Sequence, residues 1–215
     1  MKRKHPKLTR NLWIAVWLLV AVIQAWDWLR EKPATPQPPP DGFFVELRHA
    51  RLVDDPGNDG DSFKIAHDGG VHVLRLYFVD CPEKRRYALV EGRLKDQAGY
   101  FGGLSMPQIL SVGAEAKALM EKLLGGQDFT VQTRWERVYD SERSYAVVVF
   151  KDGEDLAMKL VKAGLCRIHT KGTMMPDGQQ EFDFESRLRE LEREAKAARR
   201  GAWGTSRRAP PKPKT

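Results

Sequence analysis

The chain has 215 residues, 41% of them hydrophobic and 30% charged, which is enough apolar material for a packed core and excludes wholesale disorder. A formal net charge of +7 favours polyanionic partners, nucleic acid or anionic lipid. Two cysteines, Cys81 and Cys166, are too few for a disulfide scaffold and lack the clustering of a zinc site; they read either as one bridge in an oxidising compartment or as two small half-buried side chains.

Residues 1–11 carry Lys2, Arg3, Lys4, Lys7 and Arg10 and no acid. Residues 12–29 follow, apolar through Trp26 except for Gln24, and just long enough to cross a bilayer core. Trp13 and Trp17 lie toward one end and Trp26 and Trp28 at the other, as interfacial aromatic belts do, and the basic flank predicts a cytoplasmic N-terminus. A cleaved signal peptide is the competing reading, but QAWDWLREK offers no small-x-small cleavage site. A membrane anchor is therefore expected, with the rest of the chain outside the cytoplasm; cleavage would make it secreted. Residues 30–42 hold KPATPQPPP, a stiff Pro-rich spacer, and residues 207–215 are a basic, Pro-rich tail expected to be disordered. Residues 43–206 remain as the folded domain.

Within that domain, apolar periodicity and turn signals predict strands over 43–49, 62–66, 71–79, 128–134 and 145–150, with a short one at 165–169. Helices are predicted over 112–124, 156–163 and 184–200, each followed by a glycine stop (Gly125, Gly164 and Gly201). This is an α+β, mainly β pattern: a small closed barrel of five strands with about three helices packed outside.

Asp59-Gly60-Asp61-Ser62 opens the chemistry. An EF-hand starting at Asp55 fails, because its third position would be Gly57 and its twelfth Ala66. In the strand over 71–79, Val71, Val73, Arg75, Tyr77 and Val79 share one face, while Leu74, Leu76 and Phe78 line the other. A guanidinium in an apolar row is costly unless paired, which predicts Arg75 at a barrel mouth with acidic or anionic partners. Pro82 stops the strand and fixes Asp80 and Glu83 just past its end. A hairpin through Asp68-Gly69-Gly70 would bring Asp61 and Asp80 to the same end. Two aspartates with nearby carbonyls make a hard-oxygen site suited to calcium, and the lack of clustered His or Cys argues against zinc or copper. A cation, Arg75 and the spare carboxylate of Glu83 are what phosphodiester hydrolysis requires. A structural salt-bridge network is the alternative from the residues alone.

The ordered set Asp59-Gly60-Asp61-Ser62, Arg75 and Asp80-Cys81-Pro82-Glu83 resembles the signature of the thermonuclease (staphylococcal nuclease-like) family. Gly113-Ala114-Glu115-Ala116, YAVVVFKDG from Tyr145, LVKAGLCRI from Leu160 and Gly201-Ala202-Trp203 resemble its later segments. The resemblance implies a five-stranded OB-type barrel with three helices and calcium-dependent endonucleolytic cleavage of DNA and RNA to 3′-phosphate ends. It also implies Ca2+ ligands at Asp61, Asp80 and the Cys81 backbone carbonyl, a general base at Glu83 and a phosphate clamp at Arg75. The family's second catalytic Arg falls on Ser144 in DSERSY, and Arg143, one residue away, is expected to serve through a small bulge. Cys81 stands where Thr or Ala is usual, and the family places the Cys166 segment beside it, which leaves a Cys81–Cys166 bridge open. The stretch between Glu83 and Gly113 is longer than in simple members and begins with Lys84, Arg85 and Arg86, candidates for flanking phosphates together with Arg134. DNA and/or RNA are the expected partners, with the membrane contacted through the N-terminal helix and the domain acting as a monomer. A non-catalytic OB-type binding module is the rival reading.

Overall fold

The computed structural model describes residues 42–205, so the expected anchor, the linker up to residue 41 and the tail from residue 206 lie outside the described residues. Among the described residues, no helix is long and apolar enough to cross a membrane. The strands β1 (Val45–Leu52), β2 (Ser62–His67), β3 (Gly70–Leu76), β5 (Phe129–Arg137) and β6 (Arg143–Val149) form a closed barrel in the order β1-β2-β3-β6-β5. All neighbours are antiparallel except β3 and β6. The interior is filled by Phe63 and Ile65 of β2, Leu74 and Leu76 of β3, Val131 of β5 and Val148 of β6, all essentially inaccessible to water. Burying these side chains removes most of their apolar surface from solvent, at about 25 cal/mol per Å².

Two local features of β2 and β3 position the site. Asp68 and Gly69 both have positive φ, 47° and 75°, and make the two-residue turn whose twist suits a hairpin. That turn sets Ser62 opposite Arg75. The expected strand over 71–79 is in fact two. Phe78 turns the chain with φ of 67°; its N–H donates to the Lys171 carbonyl at 2.9 Å and its carbonyl accepts from His169 N at 2.8 Å. Beyond the turn, β4 (Val79–Asp80) leaves the barrel and pairs with β7 (Arg167–Ile168), placing Asp80 opposite Arg167. The sequence hid this break because both faces of the stretch are apolar, so a change of face leaves no mark on the pattern.

Among the described residues five α-helices are present, where about three were expected. They are α1 (Glu91–Tyr100), which follows a 3₁₀ turn at Ala88–Val90, then α2 (Met106–Leu124), α3 (Leu156–Lys162), α4 (Glu181–Ala197) and α5 (Ala202–Thr205). Helix α2 starts at residue 106 rather than 112: Ser105 caps it, its N–H donating to the Gln108 side chain at 2.8 Å, and Pro107 sits in the first turn. Helix α1 is not among the expected helices, and Gly92 and Gly99 weaken its intrinsic propensity. Tertiary burial overrides that: Leu94, Ala98 and Phe101 are buried at helical spacing. Gly113 lets α2 lie against the Glu83 turn, since a Cβ there would sit 2.5 Å from the Pro82 and Glu83 carbonyl oxygens.

Asp155 caps α3, its Oδ1 accepting from Met158 N at 2.6 Å. Burial pushes its carboxyl up to about 7, against the lowering effect of the Met158 and Ala157 amides. In the unfolded chain it titrates near 3.8, so between those values the folded form holds a proton that the unfolded form has lost. Its contribution is therefore most favourable below about pH 4 and declines as pH rises to about 7. Asp155→Asn keeps the cap and removes the titration. It is expected to raise stability near pH 8 by on the order of 1–3 kcal/mol, with a smaller gain near pH 5. Urea midpoints at the two pH values check this, and an equal gap at both would contradict it.

Candidate active site

The hairpin register brings the Arg75 guanidinium between two buried carboxylates. Its Nη1 donates to Asp61 Oδ1 at 3.0 Å and to Ser62 Oγ at 3.3 Å, and its Nη2 donates to Asp80 Oδ1 at 2.7 Å. Asp80 Oδ2 accepts from Arg167 Nε and Gln97 Nε2, each at 2.7 Å. Asp61 Oδ2 accepts from the Cys81 N–H at 2.5 Å. Burial pushes the Asp61 carboxyl up, and Arg75, its one cationic hydrogen-bond partner, only partly offsets this. Burial also acts on Asp80, but Arg75, Gln97 and Arg167 outweigh it and hold that carboxyl below its ordinary range.

The β4–β7 register that sets Asp80 against Arg167 also sets Cys81 against Cys166, with Cα atoms 4.2 Å apart and the sulfurs bonded. The bridge closes a separation of 85 residues between the segment carrying Asp80 and the segment carrying Arg167. Replacing both cysteines by serine is expected to cost roughly 2–4 kcal/mol, as loss of a long cross-link does. Denaturation midpoints of that variant against the oxidised parent measure it. The two should converge when the parent is reduced, and a parent midpoint indifferent to reductant would count against it.

Glu83 is half-buried and ion-paired with Arg93 of α1. Arg143 opens β6 in register with Val73, so that Ser144 faces Leu74 and Tyr145 faces Arg75. Its Nη1 lies 3.5 Å from Ser62 Oγ, the same hydroxyl that Arg75 contacts. The β3–β6 ladder is regular at Arg143, where a small bulge was expected; the irregularity is in the β5–β6 ladder, on β5 between Thr133 and Arg137, where Trp135 has φ of 54°. Burial, and then the nearby charge of Arg75, pull the Arg143 guanidinium down from its ordinary value. Arg75, Arg93, Arg143 and Arg167 converge with His169 and Lys171 on one cleft, walled by Tyr139 and Tyr145.

A family model described as Staphylococcal nuclease homologue matches residues 73–205, more than half of the chain. The chain belongs to that family. No curated protein matches it. The matched stretch opens inside β3, so Arg75, Asp80 and Glu83 fall within it. Asp61 lies before it and is joined to them by the β2–β3 hairpin.

The other basic candidates are held in different ways. Lys84 Nζ is tied inward, to the Asn58 carbonyl at 2.6 Å and to Asp59 Oδ1 at 2.5 Å. Arg85 and Arg86 are exposed, and Arg86 pairs with Glu91 at 2.9 Å. Arg134 stacks over the Phe44 ring, 4.4 Å from its centroid, and does not line the cleft. Sequence reasoning missed Arg93, Gln97 and Arg167. The first two ride on the unrecognised helix α1. Arg167 directly follows Cys166, so the same resemblance that pointed to the cysteine pair could have pointed to it.

Among the described residues, no group of three or more His, Cys, Asp or Glu side chains is arranged to hold a metal. The oxygens that do converge are nonetheless of the hard type: Asp61, Asp80 and the Cys81 carbonyl, linked through Arg75, Gln97 and the Cys81 N–H. Beside them the Gln97 Oε1 is buried and has no hydrogen-bond partner among the described residues. That donor chemistry fits calcium.

Proposed function

We propose that this domain is a calcium-dependent endonuclease that hydrolyses phosphodiester bonds of DNA, RNA or both, held at a membrane outside the cytoplasm by residues 12–29. The observation that carries the reading is the meeting of Arg75 and Arg143 at the Ser62 hydroxyl, with the buried Asp61 and Asp80 bonded to Arg75 and with Glu83 held by Arg93, which lines the same cleft. Two guanidiniums side by side repel each other, and a phosphate between them relieves that repulsion. Arg143, whose own contacts are the Ser141 and Ser62 hydroxyls, turns its remaining N–H groups to a phosphoryl oxygen. Arg75 lies deeper and stabilises the charge that builds on the phosphorus oxygens during attack. Glu83 takes the proton of the attacking water. Asp61, Asp80 and the Cys81 carbonyl would hold calcium, which when bound supplies further positive charge to the reacting phosphate. Arg85 and Arg86 extend the cationic track beyond Glu83. Contact with phosphates rather than base edges makes binding salt-sensitive and weakly selective for sequence.

One observation favours the rival reading, a non-catalytic binding module. All four carboxylate oxygens of Asp61 and Asp80 already accept hydrogen bonds from protein donors. The test is cleavage of single-stranded DNA and of RNA by the whole chain, with calcium and with chelator. Cleavage that needs calcium supports the enzyme; retention of both nucleic acids without cleavage in either condition supports the module.

A further inference from the structure

We propose that Gln97 is a fourth oxygen ligand of the same cation, presented by α1 through a half-turn of its side-chain amide. The inference rests on the calcium reading above and goes beyond it. Gln97 is wholly buried. Its Nε2 lies 2.7 Å from Asp80 Oδ2 and 3.1 Å from the Cys81 carbonyl oxygen, two of the oxygens assigned to the cation. Its own Oε1 is buried with no partner.

A stranded acceptor in the interior is costly, and buried amides normally satisfy both ends. The stranding has a physical reason. Three acceptors facing one another would repel, so the amide presents its NH₂ group to the Asp80 and Cys81 oxygens. The two ends of a carboxamide are nearly the same size, so a half-turn about its last bond exchanges N and O without disturbing the packing; the NH₂ group then takes the buried position of Oε1, a cost that the metal contact must exceed.

That rotation does two things at once. It withdraws a donor from Asp80 Oδ2 and the donor from the Cys81 carbonyl, freeing a lone pair on each. It also brings Oε1 to the position now held by Nε2, 2.7 and 3.1 Å from those two oxygens. Oxygens 2.3–2.6 Å from a shared calcium ion stand about 3 Å from one another, which is this spacing. Arg167 Nε keeps its 2.7 Å bond to Asp80 Oδ2, and Arg75 keeps both Oδ1 atoms, so the aspartates stay oriented throughout. Gln97 thus donates to Asp80 and Cys81 in one amide orientation and offers an oxygen to the cation in the other.

Calcium titrated calorimetrically into the metal-free whole chain, with no nucleic acid present, tests this. Gln97→Met keeps the volume and loses the oxygen; Gln97→Glu keeps an oxygen and adds charge. Relative to the parent, the methionine variant is expected to bind calcium about tenfold or more weakly and the glutamate variant more tightly. Circular dichroism confirms that each is folded. Should the methionine variant fail to fold, the glutamate variant decides alone: tighter binding supports the ligand role, and unchanged or weaker binding overturns it. A parent that binds calcium while both variants match it overturns only this inference. A parent that binds none overturns the calcium reading as well.

Discussion

Glu83→Gln is expected to slow cleavage of single-stranded DNA by roughly 10²- to 10⁴-fold while leaving the fold and the affinity for the strand nearly unchanged. Glutamine has the volume of glutamate and still offers an oxygen to Arg93, so the ion pair becomes a hydrogen bond rather than a gap. The main chain at this position is held independently, because α2 packs Gly113 against the Pro82 and Glu83 carbonyls. What the substitution removes is the basic lone pair that takes a proton from water. The loss should therefore fall on kcat, with KM and the salt dependence of binding unmoved. Turnover within about threefold of the parent would remove Glu83 from the chemistry, since a general base contributes far more than that.

Arg75→Met is expected to cost about 3–5 kcal/mol of stability and to abolish cleavage, because it breaks a buried charge network by removing its central cation. The two aspartates do not suffer equally. Asp80 keeps Arg167 and Gln97, whereas Asp61 keeps only the Cys81 N–H. The penalty should thus centre on Asp61, and adding Asp61→Asn to Arg75→Met should recover part of the stability without recovering cleavage. That double substitution separates the structural use of Arg75 from its use on phosphate. A single variant as stable as the parent, by urea midpoint, would show that the guanidinium does not hold the carboxylates in solution.

Much of the site could be read from local pattern. An arginine in an apolar row demanded acidic partners, and Arg75 is flanked by Asp61 and Asp80. Asp68-Gly69 is a turn with a mechanism, and the hairpin it makes carries Asp61 to the Arg75 end. Strands β2 and β6 and the ends of α2 and α3 follow apolar periodicity and glycine stops closely, because those signals act over one or two turns of chain. Helix α1 was missed for the converse reason. Its intrinsic propensity is poor, and what stabilises it is burial of Leu94, Ala98 and Phe101 against the rest of the domain.

Residue types and their order along the chain were sufficient to establish a small β-rich barrel with helices outside, and the acids and arginine that gather at its mouth. They also mark an apolar stretch at residues 12–29 and a Pro-rich spacer before the domain. Tertiary structure alone decided the turn at Phe78, the pairing of Asp80 with Arg167 and Cys81 with Cys166, and the approach of Arg93 and Gln97 to Glu83 and Asp80. The physical reason is one of range. Periodicity reports which face of an element is buried, whereas a contact between residues 80 and 167 depends on how distant elements dock, and docking writes no period into either segment.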